Sequence, residues 1–243
     1  MKNVSLFIPC IVDLFMPDTG EAAVNLLRKL GLSPIYHENQ TCCGQPAFHA
    51  GHSDEAVKLA KRFIEIFEDD EIIVCPSGSC VVTVKKHYPE MLADDPKWQP
   101  RAESVSNRIF ELSEFIVDHM GVTDVGARFN GKVAYHESCQ LSRELGVVEQ
   151  PKSLIRAVAG TELVPLPNAS VCCGFGGKFS VDYADISEAL VKEKAGHYIA
   201  SKADLLVVSE PGCFLNINGY LTRHHPEHKA MHIADFLAGP ADC

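Results

Sequence analysis

The sequence predicts an α/β protein made of two repeated Rossmann-like modules, each with a short parallel sheet and with cysteines at the carboxyl ends of its strands. Three observations carry that expectation. Short apolar runs alternate with stretches of helical spacing along the 243 residues, as in strand–helix–strand units that build parallel sheets through right-handed crossovers. The tripeptide Cys-Cys-Gly occurs at residues 42–44 and again at 172–174. The cysteines around the two tripeptides recur at matched offsets.

The elements follow in order. Residues 2–8 are an apolar run, read as a buried strand. Residues 20–30 place Ala23, Leu26, Leu27 and Leu30 on one helical face and end at Gly31, a residue suited to a helix C-terminus. Residues 33–36 form a short strand. Ser53 is placed to cap a helix reaching Phe67, with Ala56, Leu59, Ala60 and Phe63 aligned. Residues 71–75 give a third strand and residues 104–120 an amphipathic helix. The second half repeats the order: strand 132–136, helix 151–159 with Pro151 in its first turn, strand 162–166, helix 186–200, strand 205–209 and a helix from about Phe214.

The cysteines make the repeat explicit. Cys10 precedes the first pair, Cys42-Cys43, by 32 residues, and Cys139 precedes the second, Cys172-Cys173, by 33. Cys80 lies 37 residues beyond Cys43, and Cys213 lies 40 beyond Cys173. Flanking segments agree. Pro76-Ser77-Gly78-Ser79-Cys80 answers Pro211-Gly212-Cys213, and residues 109–116 answer 231–237. Self-similarity displaced by about 130 residues means two copies of one module. The glycine-containing stretch 121–131 divides them into residues 1–125 and 126–243.

Composition narrows the chemistry. The chain is 46% hydrophobic and 22% charged, enough for a sizeable core. Its formal net charge is −10, with no basic cluster, which argues against nucleic-acid binding. No apolar run approaches the ~20 residues of a membrane span, and residues 2–9 lack a cleavage site and are broken by Pro9 and Asp13. A cytoplasmic protein is expected, touching a membrane only peripherally through partners. Neither a phosphate-binding loop nor a nucleophile elbow occurs.

Ten cysteines are too few for a disulfide-stapled scaffold of this length. Placed on the element map, eight of them lie beyond the carboxyl ends of parallel strands, the edge where open α/β sheets bind ligands. Cys10, Cys42, Cys43 and Cys80 converge in one module, and Cys139, Cys172, Cys173 and Cys213 in the other. Four soft sulfur donors suit an iron–sulfur cluster, zinc or copper(I). Adjacent cysteines fit several irons better than one tetrahedral zinc, whose structural sites use C-x₂₋₄-C hairpins. Gly44, Gly174, Gly176 and Gly177 let the backbone approach such a group and aim N–H groups at it.

Other residues are read against ordinary roles. Cys75 ends an apolar strand and is expected to pack in the core, and Cys243, the last residue, to be a non-functional thiol. His49, His52, His224, His225 and His228 are read as surface residues. His136 is a candidate hydrogen-bond donor to a cluster sulfur, and Lys178 a candidate counter-charge.

The doubled pattern Cys10…Cys42-Cys43-Gly44…Cys80 and Cys139…Cys172-Cys173-Gly174…Cys213 resembles the tandem cysteine-rich CCG-domain family. That family includes the cysteine-rich subunit of heterodisulfide reductase and the iron–sulfur subunits of glycolate oxidase and anaerobic glycerol-3-phosphate dehydrogenase. Phrases such as Thr41-Cys42-Cys43-Gly44-Gln45-Pro46-Ala47, Cys172-Cys173-Gly174-Phe175-Gly176-Gly177-Lys178 and Met231-His232-Ile233-Ala234 resemble its lactate-utilisation branch. The resemblance implies an iron–sulfur electron-transfer subunit in oxidation of a 2-hydroxy acid such as L-lactate. It implies as partners a ferredoxin-like iron–sulfur subunit and a third operon-encoded subunit. In the heterodisulfide reductase relative each module holds a non-cubane cluster through five cysteines, the last two spaced C-x-x-C. Here Ser77 and Glu210 stand where the first cysteine of each such pair would be. Each half therefore offers four matching thiols. Cys75 could supply a fifth in the first half, with nothing to answer it in the second, and whether one or two clusters are held, and of which type, stays open. The residues also admit a thiol–disulfide reductase-type subunit or a zinc-stabilised, non-redox assembly module.

Overall fold

Eight strands among the described residues form two four-stranded, all-parallel sheets in a computed structural model that describes residues 2–239. Cys243 lies outside those residues. The first sheet holds β1 (Lys2–Leu6), β2 (Leu32–Tyr36), β3 (Ile73–Cys75) and β4 (Ile109–Glu111) in the order β2-β1-β3-β4. The second holds β5 (Arg128–His136), β6 (Ala159–Leu163), β7 (Leu205–Val208) and β8 (Lys229–His232) in the order β6-β5-β7-β8. The repeat in the cysteines is thus a repeat in topology.

Central position explains composition. β3 and β7 are buried throughout and are built from Ile73, Val74, Cys75 and from Leu205, Leu206, Val207, Val208, as continuous apolar strands covered on both faces should be. The Ser53–Phe67 helix buries Ala60, Phe63, Ile64 and Phe67 against the first sheet. A second apolar cluster is shared between the halves. Val4, Leu26 and Leu112 of the first half join Val133, Leu154 and Ile233 of the second. The Pro17–Lys29 helix packs on the Ile233–Ala238 helix, where the Thr19 hydroxyl donates to Asp235 at 2.7 Å. The core is therefore continuous across the two sheets.

The structure corrects several elements. Residues 104–120 are not one helix. A Gln99–Ser106 helix ends, β4 pairs with β3, and helical structure restarts at Leu112–Glu114, continuing as a π-helical turn over Phe115–His119. Val105, Ile109, Leu112 and Ile116 are all buried. That spacing mimics one helical face although a three-residue strand interrupts it. Glu111 restarts the helix through a reciprocal capping box with Glu114. β8 and the Ile233–Ala238 helix repeat this arrangement, so the similarity of residues 109–116 and 231–237 is strand-then-helix.

Ser53 does not cap its helix. It is the first helical residue, and His52 occupies the cap position without a side-chain bond. In the second half the helix runs Glu149–Ala157 and the following strand is Ala159–Leu163, both earlier than the expected 151–159 and 162–166. β5 begins at Arg128 and supplies ladder partners for Ala159 upstream of the apolar run. Among the described residues no helix is long and apolar enough to cross a membrane.

Candidate functional site

Each sheet delivers its cysteines by the same route. Cys10 opens the short Cys10–Phe15 helix after β1, Cys42 and Cys43 follow β2, and Cys80 lies in the Gly78–Val82 helix after β3. In the second half Cys139 immediately precedes the Gln140–Leu145 turn after β5, Cys172 and Cys173 follow β6, and Cys213 sits in the first turn of the Pro211–His224 helix after β7. Eight predicted thiols therefore gather as two groups at strand carboxyl ends.

Within each group the thiols form an outer and an inner pair. Cys10 and Cys42 are half-buried with sulfurs 3.5 Å apart. Cys43 and Cys80 are buried with sulfurs 3.3 Å apart. The second group repeats the burial: Cys139 and Cys172 are half-buried, Cys173 and Cys213 buried. Hydrogen bonding along such a row alternates the charge. The Cys42 thiol is pulled down to about 3, first by the bond from Cys10 and next by Cys43, while Cys10 and Cys43 are pushed up. Cys80 falls because Cys43, then Cys75, donate to it. Cys172 falls through Cys139 and Cys173, and Cys213 falls to about 5, first through Cys173. Two sulfurs in each row thus already favour the thiolate, the form that binds metal.

The backbone is tied to these sulfurs. Gly44 N–H donates to Cys42 Sγ at 3.4 Å and Gly174 N–H to Cys172 Sγ at 3.3 Å, both glycines at φ +86°. The same glycines lie hard against the following helices. A Cβ on Gly44 would meet Leu59 Cβ at 3.2 Å, and one on Gly174 would meet Ser187 O at 2.6 Å. Gly176 and Gly177 are exposed and precede the Lys178–Asp182 helix. Among the described residues neither donates to a cysteine sulfur. Lys178 pairs with Asp182.

Residues that sequence reasoning missed hold the inner cysteines. Tyr88 donates its hydroxyl to the Cys43 carbonyl, and Asn216 donates its amide to the Cys173 carbonyl, each at 2.8 Å. Unlike side chains perform one task at matching places, so no repeated motif marks them. Cys75 is buried in the core as expected, its thiol donating to the Ser77 carbonyl at 3.5 Å beside Cys80. In the second group the ligand atoms of His136, Cys173 and Cys213 all lie within 4.8 Å of one another. Between the groups, Glu210 accepts from the Ser79 N–H at 2.9 Å and from its hydroxyl at 2.8 Å.

The donor chemistry fits a sulfur-ligated metal group. The first row has Cys10, Cys42, Cys43 and Cys80 with Cys75 adjoining. The second has Cys139, Cys172, Cys173 and Cys213 beside a buried imidazole. Soft thiolates with backbone N–H groups aimed at sulfur suit iron–sulfur ligation.

The cysteine-rich domain (CCG) family matches twice, over residues 4–85 and 133–218. Lactate utilization protein A of Geobacillus kaustophilus is 45% identical over 235 residues, covering 97% of this chain and 98% of that one. Its namesake from Anoxybacillus flavithermus is 47% identical over 235 residues with the same coverage. That from Exiguobacterium sp. is 46% identical over 239 residues, covering 98% of this chain and 97% of that one. A crystal structure of a hypothetical protein from Helicobacter pylori shares the fold, with TM-score 0.58 at 12% identity. This chain aligns over 96% of its own length and 47% of that protein's. With two matched copies of one domain and near-full-length relatives, the chain belongs to the cysteine-rich CCG-domain family.

Proposed function

We propose that this chain is an iron–sulfur electron-transfer subunit of a multi-subunit system that oxidises a 2-hydroxy acid, L-lactate, in lactate utilisation. The observation that carries the reading is the pairing of two four-thiol rows at equivalent strand ends. Near-full-length similarity to proteins named for lactate utilization supports the substrate class. A bound cluster would accept and pass single electrons. The chain's own residues would grip it through Cys10, Cys42, Cys43 and Cys80 and through Cys139, Cys172, Cys173 and Cys213. Gly44 and Gly174 N–H groups would stabilise charge on Cys42 and Cys172. The inner pairs would be shielded from water while the outer pairs face the surface. A ferredoxin-like iron–sulfur subunit and a third operon-encoded subunit complete the electron path in this reading.

The test is purification and reconstitution without oxygen, with iron and acid-labile sulfide quantified and reduced samples examined by EPR. Iron and sulfide in stoichiometric amounts, with a reducible signal, are expected. Protein without iron after anaerobic reconstitution, or active protein holding stoichiometric zinc, overturns the reading.

A further inference from the structure

We propose that His136 is the fifth donor of the second module's metal centre, so that the two centres are chemically unlike: five thiolates in the first, four thiolates and one imidazole in the second. This rests on the iron–sulfur reading above.

The geometry starts from unmet polar atoms. His136 is 1% exposed, and neither its Nδ1 nor its Nε2 has a hydrogen-bond partner. Ser138, also 1% exposed, has an unpartnered hydroxyl. Four buried side-chain polar atoms lack a partner among the described residues, and three of them lie on these two residues. Leaving a buried polar group unpaired is costly, so a cluster of them marks a place where a further ligand belongs. His136 shares that place with Cys173 and Cys213, all three ligand atoms lying within 4.8 Å.

Sheet register explains why a histidine serves here. In the first sheet Leu6 pairs with Val74, which sets Phe7 of the β1 end beside Cys75 of the β3 end. In the second sheet the corresponding neighbours are His136 and Val208, a registered pair on β5 and β7. Registered residues on parallel strands face the same side. One apolar residue and one donor therefore stand at the same height in both sheets. The donor comes from the third strand in the first module and from the first strand in the second. A search for a repeated cysteine misses it, because the exchange moves the ligand to the neighbouring strand and changes its type.

A neutral imidazole in place of a thiolate removes one negative charge from the centre. Histidine ligation of this kind raises reduction potential in iron–sulfur proteins. The second centre is then the easier to reduce, which gives electron flow through the chain a direction from the first module to the second.

The test uses full-length chain loaded with iron and sulfide without oxygen, reduced and examined by pulsed EPR. Protein grown with ¹⁵N-histidine is expected to show a ¹⁵N hyperfine coupling where unlabelled protein shows ¹⁴N. H136Q is expected to lose the coupling, and H49Q to keep it. H136C, which supplies a thiolate, is expected to retain iron and shift the second centre to lower potential. The labelled wild-type measurement stands even where H136Q does not fold. Iron in both modules with no histidine coupling, or coupling that persists in H136Q, overturns this inference and leaves the iron–sulfur reading intact. Absence of iron from both modules overturns the reading itself.

Discussion

Ser77 and Glu210 stand at matching places, three residues before Cys80 and Cys213, and they touch. The Ser77 hydroxyl donates to the Glu210 carboxyl at 3.3 Å, beside the bonds from Ser79. The two positions at which the repeat lacks a cysteine therefore meet across the module interface. Burial, and after it the nearby Cys213 and Cys80, push the Glu210 carboxyl up to about 8. A mostly neutral carboxyl at pH 7 lowers the cost of burying it here.

Removing that link should loosen the two halves. E210A leaves the Ser79 N–H buried without a partner and the Ser77 and Ser79 hydroxyls with only each other, 3.2 Å apart, and is expected to lose about 2–3 kcal/mol in denaturant unfolding. E210Q keeps an acceptor for the Ser79 N–H and should lose about 1 kcal/mol. Equal stability of E210A and wild type would remove Glu210 from the interface.

His232 should make stability depend on pH. Its Nδ1 accepts from Ala234 N–H at 3.2 Å and caps the Ile233–Ala238 helix, and its Nε2–H faces the Ser209 carbonyl at 3.2 Å. Burial depresses its pKa from 6.5 to about 4. The folded state therefore binds the proton less readily than the unfolded chain. The neutral ring's contribution is full above pH 6.5 and is lost as pH falls through 4. Within that window the loss is about 1.4 kcal/mol per pH unit. H232N, which keeps a capping acceptor but does not titrate, should show a smaller drop in unfolding midpoint between pH 7 and pH 5. Equal drops would contradict this.

The two Cys-Cys-Gly turns should differ in tolerance. Both glycines have φ +86°, where an alanine costs about 1–2 kcal/mol. The added methyl meets Ser187 O at 2.6 Å at residue 174 but Leu59 Cβ at 3.2 Å at residue 44. G174A should therefore be the more destabilising in thermal melts, by about 1 kcal/mol or more. Equal losses would show that backbone strain, the same at both positions, and not helix contact governs these turns; a larger loss from G44A would contradict the contact argument.

Charge alternation along the thiols should be visible in reactivity. In reduced, metal-free protein at pH 6, iodoacetamide is expected to label Cys42 and Cys172 before Cys10 and Cys139, since all four are half-buried and only the first two are held low. C10A removes the main donor to Cys42 and should shift its labelling to higher pH. Mass spectrometry of labelled peptides reads both. Faster labelling of Cys10 would reverse the assignment.

Much of this was legible because the repeat is carried by residues whose roles are local. Cys42-Cys43-Gly44 and Cys172-Cys173-Gly174 declare a turn and its thiols together, and Ile73-Val74 and Val207-Val208 declare buried strands. Residues 104–120 misled because a three-residue edge strand does not disturb helical spacing, and its pairing with β3 is not a local property. Ser53 misled for a related reason: a good capping residue one position inside the helix looks the same in sequence as one at its start.

The order of residues determined by itself that two modules of one topology carry four thiols each, because strand periodicity and cysteine spacing act within each copy. Only the tertiary structure decided how the copies differ. It set His136 beside Cys173 and Cys213, brought Cys75 to Cys80, and joined Ser77 to Glu210 across the interface. The reason is physical: those relationships depend on which strands become neighbours and on which faces two sheets turn toward each other, and long-range packing fixes both.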